Sequence, residues 1–191
     1  PGFPNNLVTL DTVPTQLVRH GLHLTLVGPS KSGVDRLRRE WQAWLAAQRP
    51  PEGVQALPDY DRKIGPDQSI PNRSSIMFVA EYGGRRVLLT GDGRGSDVVR
   101  GLVRRGLMAK DGVYHVDVMK VPHHGSARNA SRKFFSQVTA DVYVLSANGK
   151  DGNPDMPTLA WMVQAIKEQR RTARASSGAS DMAEAVRTAV I

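Results

Sequence analysis

The chain of 191 residues contains no cysteine. A disulfide and a thiolate metal site are therefore excluded, and a bound metal must be held by nitrogen and oxygen ligands. The lack of cysteine also fits a cytoplasmic protein, which is the location we expect. Long hydrophobic runs are absent as well, since the apolar stretches fall well short of the roughly 20 residues that cross a membrane. We therefore predict a soluble chain with no membrane span and no N-terminal leader.

Positive charge is what the sequence has in excess. The formal net charge is +8 and the isoelectric point is about 10.2. Such a charge favours polyanions, because each phosphate that a cation neutralises releases counterions. We therefore expect nucleic acid or another phosphate-bearing molecule as a partner. The ordinary alternative is a solvated surface of scattered arginines.

Turn residues and the spacing of apolar residues predict alternating strands and helices. The predicted elements are a strand over 21–27, a helix that carries Val34, Leu37, Trp41, Trp44 and Leu45, a surface loop over 48–72, a hairpin over 75–90, a helix over 97–107, a strand over 116–121, a short helix over 131–138, a strand over 142–146 and a helix over 155–166. We expect both tryptophans of the first helix to pack in the core. The alternation predicts an α/β fold.

The domain boundaries follow from composition. Residues 1–170 are predicted to form a single, partial domain, and residues 171–191 a mobile or weakly helical tail. Within that tail the stretch 172–180 is rich in Arg, Ala, Ser and Gly, and we expect it to be mobile. A last weak helix is predicted from Asp181 to Val190.

Asp92 is the first residue of chemical interest. It follows the apolar run Leu88-Leu89-Thr90 and lies between two glycines, which let the backbone turn sharply and expose the carboxylate. A carboxylate at a strand end is a good ligand for a divalent metal ion. A Gly-Asp-Gly sequence alone is more often a capped turn.

His123 and His124 end the next apolar strand in the same manner. On an extended backbone, adjacent side chains point to opposite sides, so both rings cannot easily bind one ion. One histidine is then the ligand and the other contacts the substrate or supports the ligand. We favour His124 as the ligand because Gly125 gives its backbone freedom, but the sequence leaves the choice open.

Together, Leu88-Leu89-Thr90-Gly91-Asp92 and the segment from Val118 to Ser126 resemble the second half of a metallo-β-lactamase-fold hydrolase domain, in particular the domain fused to bacterial DNA-uptake channels. The resemblance spans roughly residues 21–166. It implies an αββα sandwich, with Asp92, His123 and His124 as metal ligands and Asp92 and His124 as catalytic residues. It also implies two zinc ions, for which manganese or iron is an alternative.

The same family opens with a His-x-His-x-Asp-His loop that supplies the first ligands, and this chain has none. Its histidines do not reproduce that spacing; they are His20, His23, His115, His123 and His124. The resemblance therefore implies a domain without its N-terminal part, and we expect the missing ligands to come from an upstream segment. On its own the chain should bind metal poorly.

Looser similarity to the family extends to two further loops. Asn72 precedes the hairpin, and Asn148 and Asn153 follow the last predicted strand, where the DNA-uptake relatives commonly have a histidine before the proline. We expect these three residues, with Ser126 and Arg128, to contact the substrate, although solvated loop residues are the ordinary alternative.

Two hypotheses follow. The first is a metal-dependent hydrolase that acts on a phosphodiester or nucleic acid and is inactive without the missing loop. The second is a noncatalytic nucleic-acid-binding or assembly module that uses the same fold.

Overall fold

A computed structural model describes residues 8–12, 15–47, 65–149, 151–176 and 187–190. They form an α/β fold around one mixed sheet of seven strands, whose spatial order follows the chain. The strands are β1 (Gln16–Arg19), β2 (Leu22–Gly28), β3 (Met77–Tyr82), β4 (Arg85–Leu89), β5 (Tyr114–Lys120), β6 (Val138–Leu145) and β7 (Arg187–Val190), and the helices are α1 (Lys31–Ala47), α2 (Ile70–Arg73), α3 (Gly95–Arg104), α4 (Arg132–Gln137) and α5 (Met156–Ser176).

The sheet changes from antiparallel to parallel at β4. Strands β1 to β4 pair antiparallel, and β4 to β7 pair parallel. Gly83 and Gly84, with φ of 56° and 76°, make the two-residue turn between β3 and β4. The parallel strands are joined through α3, α4 and α5, so the carboxyl ends of β4, β5 and β6 lie along one edge of the sheet.

One face of the sheet carries the core. Val79, Leu88, Met119 and Tyr143 are neighbours across β3 to β6, and none is more than 3% exposed. They belong to one buried cluster with side chains of three helices; these include Val98 and Leu102 of α3, Phe134 and Phe135 of α4, and Met162 of α5. Burial of large apolar side chains of this kind contributes roughly 1.5–3 kcal/mol each.

The opposite face is less protected. Ala80, Val87, Val118 and Val142 are neighbours in the same four strands, and each is only half-buried. None of the described side chains of helix α1, residues 31–43, belongs to the buried cluster. Within the described residues, the sheet is therefore fully covered on one face only.

Most predicted elements are confirmed, but the burial of the first helix is not. The hairpin, helices α1, α3, α4 and α5, and strands β2, β5 and β6 lie where the sequence predicts them. Trp41, predicted in the core, is 59% exposed. The apolar stripe of α1 correctly indicates a helix, yet no described layer covers Trp41. The side chain of Trp44 lies outside the described residues.

Two other predictions are wrong. The predicted surface loop over 48–72 ends in the short helix α2 and contains the buried Asp67, while residues 48–64 lie outside the described part. In the C-terminal segment, α5 continues to Ser176. Residues 187–190, predicted as helix, form the parallel strand β7, because pairing with β6 outweighs a weak helical period. The remainder of that segment, 177–186, is not described.

None of the described helices combines the length with the apolar content that a membrane span needs.

Candidate functional site

The candidate site lies at the edge formed by the carboxyl ends of β4, β5 and β6. Thr90 joins the first two strand ends, since its buried hydroxyl donates to the carbonyl oxygen of Lys120 at 2.8 Å. Gly91 then turns with φ of 53°, where a Cβ atom would approach the side chain of Ser75 to 2.9 Å. The next amide, of Asp92, donates to Ser75 Oγ at 3.1 Å. The Asp92 carboxylate is thus presented by a fixed loop.

The histidine pair does not continue the strand as predicted. Strand β5 ends at Lys120, and both histidines lie in a 3-10 turn from Pro122 to Gly125. His123 (φ 42°, ψ 56°) and His124 (φ 55°, ψ 19°) both adopt left-handed backbone conformations. Their side chains therefore do not point to opposite sides of a strand; the ring centroids are 5.7 Å apart in an edge-on arrangement.

This left-handed backbone is costly for residues with a side chain. Each such residue costs on the order of 1–2 kcal/mol relative to the right-handed conformation. Gly125 continues the turn with φ of 87°, and a Cβ atom there would lie 2.6 Å from Pro154 Cβ. Backbone strain of this kind is common at binding and catalytic sites.

Asp92 and His124 are brought together. Asp92 Oδ1 lies 3.4 Å from His124 Nε2, and the two side chains are 39% and 42% exposed. His124 Nδ1 contacts the main-chain oxygen of Ser146, which can only accept, so Nδ1 carries the hydrogen. In the neutral ring, Nε2 then turns a lone pair toward the carboxylate.

Two acceptors that face each other at this distance require a proton or a cation between them. If the imidazole is neutral, a metal ion satisfies both. Two ligands about 2.05 Å from a tetrahedral zinc ion lie about 3.3 Å apart, which matches the separation of Asp92 Oδ1 and His124 Nε2. The separation therefore fits two ligands of one ion, and it fits an ion pair of the protonated ring with the carboxylate equally well.

His123 belongs to an internal network instead. Its Nδ1 lies 3.0 Å from Asn129 Oδ1, and Asn129 Nδ2 donates to Asp67 Oδ2 at 2.9 Å and to the main-chain oxygen of Asp92 at 2.9 Å. Because the Asn129 amide nitrogen is committed to two acceptors, its oxygen accepts from His123 Nδ1. The Nε2 lone pair of His123 is therefore available, as in histidines that bind metals.

Asp67 organises this network, although no pattern in the sequence singles it out. Asp67 is 6% exposed, and its carboxylate accepts from the amide of Ser69 at 2.8 Å, from Asn72 Nδ2 at 2.9 Å and from Asn129. Burial alone would raise the pKa of Asp67, but the hydrogen bonds from Asn72, Ser69 and Asn129, with the charge of His123, hold it below the ordinary value. The only local signal is an aspartate two residues before a serine, a common turn.

Lys120, the last residue of β5, contacts the loop that carries Asp92. Its Nζ donates to the carbonyl oxygen of Gly91 at 3.0 Å. Burial lowers the pKa of Lys120, and the nearby Asp92 carboxylate opposes that shift. Lys120 therefore places a positive charge behind the Asp92 loop.

The predicted substrate contacts fall into different environments. Asn72 is in the network and lies 3.3 Å from His123 Nδ1. Ser126 is buried, and its hydroxyl accepts from the amide of Arg128, whose side chain is exposed. Asn148 is exposed beyond β6, and Asn153 is half-buried before Pro154. Two of the five thus contact the histidine pair: Asn72 through its side chain, and Ser126 through its amide, which donates to the carbonyl oxygen of His123 at 2.9 Å.

The described ligand set is incomplete for a metal centre. Asp92 and His124 can occupy two positions of one ion, but nowhere in the described part of the chain do three or more His, Asp or Glu side chains form a group that could hold a metal. A two-ion centre would need ligands in addition to these residues.

No family model and no curated protein matches the chain. The resemblance of the two motifs to the metallo-β-lactamase fold stays a prediction.

Proposed function

We propose that the chain contributes part of the active site of a metal-dependent hydrolase of the metallo-β-lactamase type, with a phosphodiester or nucleic acid as the substrate class. The observation that supports this proposal is the pair formed by Asp92 Oδ1 and His124 Nε2, which lie 3.4 Å apart at a half-exposed strand edge. The positive net charge of the chain supports the choice of an anionic substrate.

Asp92 and His124 would hold a zinc ion, with manganese or iron as alternatives, and His123 would offer its free Nε2 next to them. When bound, such an ion lowers the pKa of a coordinated water and polarises the scissile group. The protein's part is positioning. Asn129 fixes the ring of His123, and Lys120 fixes the Gly91 carbonyl beside Asp92.

The half-buried sheet face supports the αββα arrangement as the finer fold proposal. Ala80, Val87, Val118 and Val142 offer an apolar surface to a second layer. In a sandwich, a second sheet packs on such a surface at about 10 Å. We propose that this layer is supplied from outside the described residues and brings the remaining metal ligands.

Zinc titration tests the ligand pair, with the metal alone as the probe. We expect the 191-residue chain to bind one zinc ion with a Kd of about 1 µM or weaker, since two protein ligands give only part of the affinity of a complete site. Asp92→Ala and His124→Ala should each abolish this binding. An unchanged titration curve for either variant would contradict the proposal.

The chain offers a matched control in a second histidine–aspartate pair. His115 Nε2 lies 3.2 Å from Asp141 Oδ1 on an exposed part of the sheet, away from the candidate site. His115→Ala should leave zinc binding unchanged. If His115→Ala and His124→Ala weaken zinc binding equally, the binding belongs to surface histidines and not to the site.

The noncatalytic module stays a second candidate, and one observation favours it: the described residues do not assemble three metal ligands. In that case Asp92→Ala and His124→Ala should leave nucleic-acid binding or assembly intact. The hydrolase proposal expects the same variants to remove metal-dependent cleavage of bis(p-nitrophenyl) phosphate once the remaining ligands are supplied.

A further inference from the structure

A second concave region lies between helices α3 and α4 and the loop that follows α3. Its volume is about 610 Å³, and we call it the α3–α4 groove. Its lining combines valines, one phenylalanine and basic side chains; the residues that matter here are Val99, Val103, Phe134, Arg100, Arg104, Lys110 and Lys133. The groove shares no lining residue with the Asp92–His124 pair.

Hydrogen bonds connect the segments around the groove. The amide of Gly95, at the start of α3, donates to the carbonyl oxygen of Asn129, before α4, at 2.6 Å. Gln137 Nε2, at the end of α4, donates to the carbonyl oxygen of Lys110, after α3, at 3.1 Å. These bonds join the segments on the two sides of the groove. The cavity is therefore a preformed feature of the fold, and its volume lies within the usual range for small-molecule sites.

The floor of the groove is apolar because of the spacing along α3. Val99 and Val103 are four residues apart and so lie on the same side of the helix, next to Phe134 of α4. Phe134 is almost fully buried, while the two valines are half-buried. An organic group that enters the groove would contact the valines.

The rim is basic. Arg100 uses Nη1 to bind Asp97 at 2.7 Å and Arg104 uses Nη2 to bind Asp11, which leaves further guanidinium hydrogens on each; the two side chains are 64% and 54% exposed. Lys110 and Lys133 form no ion pair with any carboxylate in the described ranges. Asp111 is the one acidic residue in the lining.

We propose that the α3–α4 groove binds a nucleotide unit, either free or within a nucleic-acid strand. Lys110 and Lys133 would hold its phosphate groups together with the open hydrogens of Arg100 and Arg104, and Val99 and Val103 would contact its sugar or base. Mobile ammonium groups and guanidinium groups are the usual phosphate ligands of proteins. The groove and its ligand do not depend on hydrolysis at Asp92.

Fluorescence anisotropy with a labelled deoxythymidine oligonucleotide tests this binding. Lys110→Glu combined with Lys133→Glu should raise the Kd at least roughly ten-fold and reduce the slope of log K against log salt by about 1.4, since each phosphate contact with a single strand contributes about 0.7. Lys110→Gln combined with Lys133→Gln, which perturbs folding less, should lower the same slope. Circular dichroism checks that both variants are folded.

The matched control changes the charge by the same amount outside the groove. Arg39 of α1 and Lys167 of α5 are exposed and do not line it. Arg39→Glu combined with Lys167→Glu should alter the Kd less than about three-fold, through the overall field alone. Equal losses in the groove and control variants would overturn the proposal, as would the absence of an effect in the groove variants.

Competition identifies the source of the phosphate. Displacement of the oligonucleotide by ATP indicates a free-nucleotide site, and displacement only by unlabelled oligonucleotide indicates a strand-binding site; both support the groove as a nucleotide-unit site. Poly-glutamate carries charge without phosphate. If poly-glutamate competes as well as the oligonucleotide at equal charge, the site is a general polyanion surface and the proposal is wrong.

Discussion

The two histidines of the pair are adjacent in sequence but occupy different environments. The side chain of His123 is 26% exposed, and its Nδ1 faces Asn129 and the buried Asp67. The side chain of His124 is 42% exposed, its Nδ1 faces a main-chain oxygen, and its Nε2 faces the half-exposed Asp92. In both rings Nδ1 contacts a neighbouring oxygen, but the partner is a side-chain amide for His123 and a main-chain carbonyl for His124.

We call His123 with Asn129 and Asp67 the His123 side, and His124 with Asp92 the His124 side. The different partners indicate different roles for the two sides. The His123 side is a closed set of hydrogen bonds that stabilises the edge of the sheet, because each buried polar group has a partner. The His124 side is a single imidazole–carboxylate pair at the half-exposed surface, and such pairs contribute little to stability. Stability is thus expected to depend on the first side and metal binding on the second.

The largest expected effect concerns stability. Asp67→Ala removes the acceptor of three hydrogen bonds and leaves buried amide groups unpaired, so the free energy of unfolding should fall by about 2–4 kcal/mol. Asp92→Ala, on the exposed side, should change it by less than about 0.5 kcal/mol. Urea denaturation monitored by tryptophan fluorescence measures both variants. Equal losses of unfolding free energy in the two variants would contradict the different roles of the His123 side and the His124 side.

The second effect is the pH dependence of that stability. The folded pKa of Asp67 is lowered, so its contribution is complete above the ordinary aspartate value of about 3.9 and is lost as the pH falls through the lower folded pKa. The stability difference between the wild type and Asp67→Asn should therefore be largest near about pH 6 and shrink toward about pH 3. A difference that grows on acidification would contradict the charged state of Asp67.

A smaller effect concerns the hydrogen positions of the rings. Long-range nitrogen–proton NMR spectra should show both His123 and His124 with the hydrogen on Nδ1 when neutral. Asn129→Ala removes the side-chain acceptor of His123 and should give a mixture of tautomers at that ring. His124 should not change, because its acceptor is the main-chain oxygen of Ser146. A changed signal at His124 would mean that the sides are coupled.

The smallest effect is expected at the loop that presents Asp92. Ser75→Ala removes the acceptor of the Asp92 amide and should cost about 0.5–1.5 kcal/mol of stability. It should weaken zinc binding a few-fold without altering the His123 tautomer, since the Asn129 bonds stay in place. Zinc titration and the same NMR spectra distinguish this result from a general loss of order.

Local chemistry accounts for the parts of the fold that the sequence predicts. The hairpin of β3 and β4 is recognisable because paired glycines mark its turn, and Asp92 and the histidine pair are recognisable because each ends an apolar run. Asp67 could not be found in this way. It contacts Asn129, 62 positions away along the chain, and the loop before it has no period that fixes its place.

Two further predictions, the burial of Trp41 and the helix over residues 187–190, were wrong because tertiary contacts decide the outcome. A 3.6-residue apolar stripe identifies α1 as a helix, but burial depends on a covering layer that the stripe does not specify, and Trp41 is exposed. Strand β7 forms because β6 offers a free edge with matching register. The local composition of α1 does not show whether Trp41 is covered, and that of residues 187–190 does not show that they pair with β6.

The left-handed turn has a consequence for mutational scanning of this edge. Alanine tolerates a positive φ poorly, so replacing His123 or His124 by alanine mixes the loss of the ring with a backbone cost of order 1 kcal/mol. Asparagine adopts that conformation more readily. A scan that pairs each alanine variant with its asparagine counterpart would separate the chemistry of the imidazole from the shape of the main chain beneath it.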